Sequence, residues 1–430
     1  IYGVRMLDIK KIRLEPEKYR KGLESKNGAK NLDLLLELDA QRRSSIAKVD
    51  QLKSLRNRVS EEIAIIKKAG KSADFKIKEM RKVAERIKSL DSEINDVEDD
   101  IRNIMVALPN IPHESVKVGY SPEENEILRY WGKKPSFDFD IEDHLDIAES
   151  LGILDFHRAA KISGTGFPMY VGAGAKLERA LINFMLDFHV SKHGYKEIFP
   201  PFLTSRDSAF CTGQLPKLED DMYVTNGDGL FLIPTAEVPL ANIHRGEIIP
   251  ESKLPIKYVA YSACFRREAG SYGKDTRGLS RLHQFNKVEM VRFTTAEDSY
   301  KHHEELLADA EEILQALNLH YRVVRLCSGD LSFAAAKCYD LEVWAPASEK
   351  YFEVSSVSNC EDFQARRANI RYRKTSDGKV AFVHILNGSG VATPRLVIAL
   401  LETYQTNEGK VIIPEILHPY TGFKIIRSQK

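Results

Sequence analysis

Apolar residues recur at three- and four-residue steps through the first quarter of the chain, which is the periodicity of amphipathic helices. One series runs from Ile46 to Ile66 and a second from Met80 to Leu108, with a break at residues 69–74. Steps of four and three alternate in the second series after its first step, which predicts a heptad seam. We therefore expect a long antiparallel α-helical coiled-coil arm, about 50–60 Å in length, that projects from the rest of the chain.

The pattern changes beyond Pro109 and Pro112, which we expect to end the second helix. A polar stretch to residue 135 is typical of a linker. Further helices are predicted at 177–193, 295–317 and 392–406. Extended candidates are 198–203, 230–233, 258–265, 283–293, 321–326, 339–344, 351–357 and 380–386. Because hairpins join them more than crossover helices do, the sequence predicts an α+β fold around a mostly antiparallel sheet, with domains at 1–112 and 113–430.

Charge is balanced overall but not locally. The 430 residues carry a formal charge of +1, yet Lys and Arg predominate around the predicted hairpin tip, between Lys48 and Lys88. A charge run on a coiled coil is often only its solvated face. The excess of one sign nevertheless favours a nucleic-acid partner, and the length of the hairpin favours a large folded RNA that is recognised by its shape.

Cysteine spacing and apolar run length bear on the compartment. Five widely spaced cysteines include no C-x-x-C pair, which favours a reducing cytoplasm over a disulfide framework or structural zinc. No apolar run approaches the roughly 18 residues of a membrane span, so no membrane location is predicted. Residues 1–5 are expected to be a remnant ahead of Met6, and His302 and His303, on a polar helix, are expected to be solvated.

Residues 264–291 predict a β-hairpin with a cationic tip, which suits a polyanion that is gripped and released. The tip contains glycines and cations, namely Gly270, Gly273, Gly278, Lys274 and Arg277. Surface charge pairing is the alternative explanation for such a hairpin.

The strands of this hairpin carry candidate ligand groups. Arg266, Arg267 and Glu268 stand at the end of the first strand, and guanidinium groups can bind phosphate oxygens bidentately. Phe285 on the returning strand can present a ring face to a base. Glu289 lies on the same side, because side chains alternate along a strand. A cation, a ring and a carboxylate on one face suit a nucleotide together with an amine-bearing substrate.

Two shorter segments have both a functional and a structural interpretation. Thr235 and Glu237 follow a short apolar strand and suit a small polar ligand, or equally a helix start capped by Thr235. Strand alternation places Glu353 and Ser355 on one face and Ser356 on the other. A strand carboxylate near phosphates is a plausible magnesium ligand, and a merely solvated side chain is the alternative.

Residues 387–390, Asn-Gly-Ser-Gly, predict a strand-to-helix turn whose small side chains allow close approach of a ligand. Arg395 would then lie in the first helical turn, where the backbone dipole and the guanidinium group both favour anions. Taken alone, a simple glycine turn explains this segment as well.

The order of these segments resembles the three motifs of class II aminoacyl-tRNA synthetases. The matching stretches are G-Y-K-E-I-F-P-P-F at 194–202, F-R-R-E at 265–268 with its return R-L-H-Q-F, and G-S-G-V-A-T-P-R at 388–395. Together with the basic arm, T-A-E, Q-F-N-K-V-E and E-V-S-S, the chain from Met6 onward resembles the bacterial type of the seryl-tRNA synthetase family. The resemblance implies a class II antiparallel sheet and a cytoplasmic homodimer formed partly through Pro201.

The resemblance also implies a two-step reaction. L-serine and ATP would give seryl-adenylate with Mg²⁺, and the seryl group would pass to tRNA(Ser), with tRNA(Sec) left open as a further acceptor. Domain 1–112 would bind tRNA, and its arm would grip the long variable arm of the tRNA across the dimer. No zinc-dependent form is indicated, because no cysteines have metal-ligand spacing.

Site residues follow from the same resemblance. The catalytic groups would be Arg266, Glu289 and Arg395. The serine site would comprise Thr235, Ala236, Glu237, Arg266, Glu289, Asn387 and Ser389. The ATP site would comprise Arg266, Arg267, Glu268, Leu282, Phe285, Glu353, Val354, Ser355, Ser356 and Arg395. Glu353 and Ser356 would hold the magnesium ion. Arg267 departs from many relatives, which carry a smaller or acidic residue there, so its nucleotide contact is the least secure.

Two alternatives stay open from the sequence. A class II paralogue could transfer its activated amino acid to a carrier protein, although such a protein would not need the basic arm. A non-catalytic RNA-binding protein with a decayed site is the second alternative. The presence of Arg266, Glu289, Glu353 and Arg395 argues against decay.

Overall fold

The computed structural model describes residues 6–269 and 277–428. The predictions for residues 1–5 and for Gly270, Gly273 and Lys274 lie outside these residues. The described chain forms two compact units, one spanning Met6–Leu108 and the other beginning at Pro109. None of the described helices is long and apolar enough to cross a membrane.

The N-terminal unit is built on the predicted helical hairpin. Its helices are α1 (Ile9–Leu14), α2 (Pro16–Glu24), α3 (Leu32–Lys68) and α4 (Asp74–Ala107). Val49 of α3 is buried against Ile87 and Leu90 of α4, which confirms the predicted seam. The long helices run antiparallel, since Arg42 pairs with Glu98 near one end and Lys76 with Glu62 near the other. The heptad pattern and the helix break were therefore predicted correctly.

The second unit contains strands mixed with helices. The helices are α5 (His144–Leu151), α6 (Phe156–Ser163), α7 (Ala173–His193), α8 (Arg206–Cys211), α9 (Glu237–Ala241), α10 (Ser299–Ala316), α11 (Phe363–Ala368), α12 (Thr393–Thr403) and α13 (His418–Thr421). Short 3-10 helices lie at Pro122–Glu124, Glu219–Asp221, Glu251–Lys253, Ser328–Asp330 and Glu415–Leu417.

The strands of this unit match most of the predicted positions. They are β1 (Glu126–Trp131), β2 (Lys196–Glu197), β3 (Leu203–Thr204), β4 (Phe231–Leu232), β5 (Ile248–Pro250), β6 (Ile256–Phe265), β7 (Gln284–Thr294), β8 (Tyr321–Arg325), β9 (Lys337–Ala345), β10 (Lys350–Asn359), β11 (Arg371–Arg373), β12 (Val380–Phe382), β13 (His384–Ala392), β14 (Val411–Ile412) and β15 (Ile425–Ile426).

An eight-stranded sheet organises the unit, with strand order β1-β8-β9-β10-β13-β7-β6-β2. Strands β2 and β6 are parallel, and the other neighbouring pairs of this sheet are antiparallel. The α+β class and the mostly antiparallel sheet are therefore confirmed.

The two faces of the central strands have different roles. On one face Val288 and Met290 of β7 pack in a large apolar core with residues of α7, α10 and α12. On the other face Val291 and Phe293 pack in a second core that includes Leu240 of α9. Nearer the start of β7, the face that carries Val291 and Phe293 extends past this second core, and polar side chains can occupy it there.

Three local predictions were wrong. Residues 198–202 form no strand, because Pro200 and Pro201 supply no backbone N–H for a ladder. The predicted linker contains strand β1, which pairs with β8 at the edge of the sheet. His303 is fully buried and its Nε2 lies 2.9 Å from the Val357 carbonyl oxygen. Its helix faces the sheet at this position, which the polar neighbours in sequence did not indicate.

Candidate active site

A cavity of about 610 Å³ opens over the polar face of the sheet. Strands β7, β10 and β13, the start of α12 and residues in the ranges 212–222, 234–237, 266–269 and 279–282 contribute to its lining. A volume of this size is typical of small-molecule sites, which measure about 300–1,000 Å³. The cavity therefore lies where the predicted motifs meet.

Strand β7 forms the floor of the cavity. Phe285, Lys287 and Glu289 point to the same face because successive side chains alternate. Their cross-strand neighbours on β6 are the smaller residues Cys264, Ser262 and Ala260, all buried or nearly so. Small side chains beside a strand of large ones leave open volume above that face.

An ion pair and a hydroxyl define the inner end of the cavity. Lys287 Nζ lies 2.5 Å from Glu289 Oε2, and both side chains are buried. The Thr235 hydroxyl donates to the same carboxylate oxygen at 3.1 Å. It also accepts from the Glu237 backbone N–H at 3.1 Å, at the start of helix α9. Thr235 thus lines the cavity and accepts a backbone hydrogen bond at the start of α9, whose N-cap residue is Ala236.

Glu237 is the second carboxylate at this end. Its Oε1 accepts from Gln364 Nε2 at 2.6 Å and from Asn387 Nδ2 at 3.0 Å. Burial, followed by the nearby charge of Glu289, raises the pKa of Glu237 to about 7. The free protein therefore holds Glu237 close to half protonation at neutral pH, and a cation beside it would favour its ionised form.

The opposite side of the floor combines a cation with an aromatic ring. The guanidinium carbon of Arg266 lies 5.0 Å from the centre of the Phe285 ring. Arg266 Nε donates to the Pro234 carbonyl oxygen at 3.4 Å, which fixes the direction of the side chain. A planar base can stack on such a ring while the guanidinium group binds an adjacent phosphate.

The three charged residues of the F-R-R-E stretch, which follow the end of β6 at Phe265, do not behave alike. Arg266 and Glu268 line the cavity, and Glu268 accepts from Arg281 at 2.8 Å. Arg267 does not line it, and its backbone N–H donates to the Asp221 carbonyl oxygen at 2.8 Å. The cavity lining therefore gives no direct support to the predicted nucleotide contact of Arg267, which was the least secure of the predicted contacts.

Arg395 is held at the outer end of the cavity. It is the third residue of α12, as predicted, and its Nε donates to the Ser280 carbonyl oxygen at 3.0 Å. Its Nη1 donates to the Glu353 carbonyl oxygen at 3.0 Å and lies 3.6 Å from the Glu353 carboxylate. The guanidinium group is thus oriented by backbone while about a third of its side chain stays exposed.

A register shift in β10 corrects the predicted alternation. It lies between Glu353 and Ser355, so that Glu353, Val354 and Ser356 line the cavity and Ser355 does not. The Ser355 hydroxyl instead donates to the Ser389 carbonyl oxygen at 2.5 Å. The predicted pairing of Glu353 with Ser355 on one face, opposite Ser356, was therefore wrong, because a bulge inverts the pattern.

The third motif also differs from its prediction. Residues 387–390 belong to strand β13, and residues 387–389 pair with β7, so the predicted turn was wrong. Asn387 and Ser389 alternate onto the cavity face. Gly390 is needed for close packing, since a Cβ there would lie 2.5 Å from His189 Nε2. The glycines of this segment thus serve a crowded strand and not a turn.

Most of the residues proposed from the sequence converge. Those that line the cavity are Thr235, Glu237, Arg266, Glu268, Leu282, Phe285, Glu289, Glu353, Val354, Ser356, Asn387, Ser389 and Arg395. Ala236, Arg267 and Ser355 do not line it. Sequence reasoning missed Lys287, which strand alternation between Phe285 and Glu289 indicated, and Gln364, for which no local signal existed.

Oxygen donors beside the cationic end suit a divalent ion. The Glu353 carboxylate is about half exposed, and the Ser356 hydroxyl lies on the same lining. Burial and then the charge of Glu353 raise the pKa of Asp340, so carboxyl groups crowd here. No cluster of three or more His, Cys, Asp or Glu suited to a metal occurs in the described part of the chain. One or two protein oxygens fit Mg²⁺, which keeps phosphate and water ligands.

Comparison with known proteins shows which family has this architecture. The family model of the seryl-tRNA synthetase N-terminal domain matches residues 6–112, and that of the class II tRNA synthetase core domain (G, H, P, S and T) matches residues 218–404. A serine–tRNA ligase of Chlorobaculum parvum is 55% identical over 428 residues, which cover 98% of this chain and 100% of that protein.

Two solved structures share the whole fold. Seryl-tRNA synthetase from Pyrococcus horikoshii, complexed with ATP, is 38% identical with a TM-score of 0.95, covering 99% of this chain and 100% of that one. Cytoplasmic serine–tRNA ligase from Naegleria fowleri, in complex with AMP, is 32% identical with a TM-score of 0.90, covering 100% of both. This chain therefore belongs to the seryl-tRNA synthetase family of class II aminoacyl-tRNA synthetases.

Proposed function

We propose that this protein activates L-serine with ATP and transfers the seryl group to tRNA(Ser). The observation that carries the proposal is a single cavity with a carboxylate-rich inner end and a cationic, aromatic opposite end. The first end suits an amino acid and the second a nucleotide. Relatives solved with ATP and with AMP support a nucleotide at such a site.

In the first step, a carboxylate oxygen of serine attacks the α-phosphorus of ATP. The bond to the bridging oxygen breaks, and pyrophosphate leaves with that electron pair. Arg266 would hold the α-phosphate and the attacking carboxylate, Phe285 would stack on adenine, and Arg395 would hold the γ-phosphate. No general base is required because the carboxylate is already ionised. Positioning and charge neutralisation would supply the catalysis.

The inner end would select serine. Glu237 and Glu289 supply negative charge for the ammonium group, while Thr235, Asn387 and Ser389 supply neutral hydrogen-bonding groups. A pocket that pairs the serine hydroxyl rejects alanine, because its own polar groups would otherwise stay unpaired.

Glu353 and Ser356 would hold Mg²⁺. When bound, the ion would neutralise charge on the phosphate oxygens, which are also in reach of Arg395 in this proposal. The carboxylate of Glu353 lies 3.6 Å from Arg395 Nη1, which supports a common role of the two residues at the proposed phosphate end.

Serine-dependent ATP–pyrophosphate exchange tests the activation step. We expect strong exchange with serine and a kcat/KM at least about a thousandfold lower with alanine or glycine, because neither fills the hydroxyl-binding position. Threonine and cysteine are the other amino acids to be compared in the same exchange assay. Exchange with a different amino acid would move the proposal to another substrate, and no exchange with any of them would favour a non-catalytic protein.

The pKa of Glu237 predicts how serine binding depends on pH. Protonated Glu237 cannot balance an ammonium group, so serine should bind about tenfold more tightly at pH 8 than at pH 6, as the carboxyl ionises through a pKa of about 7. Calorimetric titration at several pH values measures this dependence. Glu237→Gln should bind more weakly and lose it. A wild-type dissociation constant that is the same at both pH values contradicts the assignment of Glu237.

The basic arm would bind the tRNA, and its register allows a clean deletion. Since Arg42 pairs with Glu98, replacing residues 46–94 with a short glycine-containing turn should leave the base of the hairpin paired. We expect charging of tRNA(Ser) to fall at least about a hundredfold, because phosphate contacts are lost, while exchange stays within twofold. Equal loss of both activities would contradict this role.

The same charging assay with tRNA(Sec) decides whether that acceptor is used.

Exposed apolar residues in the motif 1 segment support the proposed homodimer. The side chain of Phe199 is 77% exposed, its ring stacks on Phe202, and Pro201 beside it is exposed. Sedimentation should give twice the 48.8 kDa chain mass. Phe199→Glu should shift it towards one chain, whereas Phe75→Glu on the arm, where Phe75 is 75% exposed, should not. A monomeric wild type overturns the proposal. We propose a cytoplasmic location for this enzyme, in keeping with five widely spaced cysteines that include no C-x-x-C pair.

A further inference from the structure

A buried carboxyl group lies beneath the cavity floor and is not part of the lining. Glu178 of helix α7 is 5% exposed. Its Oε1 accepts from Asn286 Nδ2 at 2.8 Å and from the Thr393 hydroxyl at 2.5 Å. The charge of Glu178 acts on the nearby hydroxyl of Tyr170, but neither Oε2 nor that hydroxyl has a hydrogen-bond partner in the described chain. One helical residue therefore joins two separate segments, strand β7 and the start of α12.

The partners of Glu178 adjoin groups that line the cavity. Asn286 stands between Phe285 and Lys287 on β7, with its side chain on the opposite face. Its Oδ1 accepts from the Tyr261 hydroxyl at 3.0 Å, so its amide is held on both sides. The orientation of β7 at Phe285, and its distance from helix α7, thus depend on the position of Glu178.

Thr393 extends the same connection to helix α12. It begins that helix two residues before Arg395 and is fully buried. Besides donating to Glu178, its hydroxyl lies 3.1 Å from the Asn286 carbonyl oxygen. A single hydroxyl group therefore joins the start of α12 to β7, the two elements that carry Arg395 and Phe285.

A carboxyl group in this position is costly unless its hydrogen bonds are made. Burial raises the pKa of Glu178, so the environment disfavours a free charge. An apolar residue would suit the adjacent core of α7 as well or better for stability alone. The hydrogen bonds to two cavity-bearing elements give the residue a positional role.

We infer that Glu178 and Thr393 are positioning residues that fix the distance between the Phe285 ring and the Arg395 guanidinium group, and so set the affinity for ATP. The inference rests on the proposed function only in taking ATP as the nucleotide. Serine would be affected little, because its proposed groups are held by other contacts, Glu237 by Gln364 and Glu289 by Lys287.

Two conservative variants at Thr393 test the inference without a large change in packing. Thr393→Val removes the hydroxyl and keeps the shape, whereas Thr393→Ser keeps the hydroxyl. We expect Thr393→Val to bind ATP about five- to tenfold more weakly in calorimetric titration and to raise the KM for ATP in pyrophosphate exchange equally. The KM for serine should stay within twofold. Thr393→Ser should retain ATP binding within about twofold.

Glu178→Gln completes the set, since its amide oxygen can accept both hydrogen bonds and its amide N–H₂ can donate to Tyr170. It should retain ATP affinity. The inference is overturned if Thr393→Val binds ATP like the wild type, including the case in which only its melting temperature falls. It is also overturned if Thr393→Ser or Glu178→Gln loses affinity as Thr393→Val does. Direct ATP binding keeps these outcomes separate from the proposed activity, which fails if the wild type shows no serine-dependent exchange.

Discussion

Two carboxylates and one ammonium group share the buried inner end of the cavity, and this imbalance governs the site. Lys287 pairs with Glu289, while Glu237 has only neutral hydrogen-bond donors. Burial makes an uncompensated negative charge costly, and the protein meets that cost by raising the pKa of Glu237. A ligand that brings its own ammonium group restores the balance. The charge distribution therefore favours a ligand with an ammonium group, as proposed for serine, in a way that an uncharged pocket would not.

The sheet limits the free-energy cost of burying these charged groups. On β6, Ala260 and Ser262 leave space beside the large side chains of β7, and Ala236 and Leu240 close the apolar core next to the charged region. Antiparallel pairing of β7 with β13 then brings Ser389 opposite Glu289. Charged groups sit between an apolar core below and an open cavity above, which limits their desolvation to the inner end.

The two units depend on different kinds of interaction. The arm is stabilised by contacts that a local repeat specifies, such as Val49 against Ile87 and Leu90. The catalytic sheet depends on contacts between distant segments, and Glu178 illustrates this, because its partners at 286 and 393 are remote in sequence. The two solved relatives, at 38% and 32% identity, keep the whole architecture, so both kinds of interaction tolerate extensive substitution elsewhere.

The sequence by itself determined the arm, the strand-rich second unit and the family. Heptad steps need only local helical geometry, and the alternation of Phe285 with Glu289 needs only the strand period. Three features were decided by tertiary structure. The bulge in β10 exchanges the faces of Ser355 and Ser356, strand pairing converts residues 387–390 from an expected turn into part of β13, and packing on the sheet buries His303. In each case a partner in another element supplies the hydrogen bonds or the buried surface: β9 for the bulge, β7 for residues 387–390 and β10 for His303. No local pattern of side chains encodes that pairing.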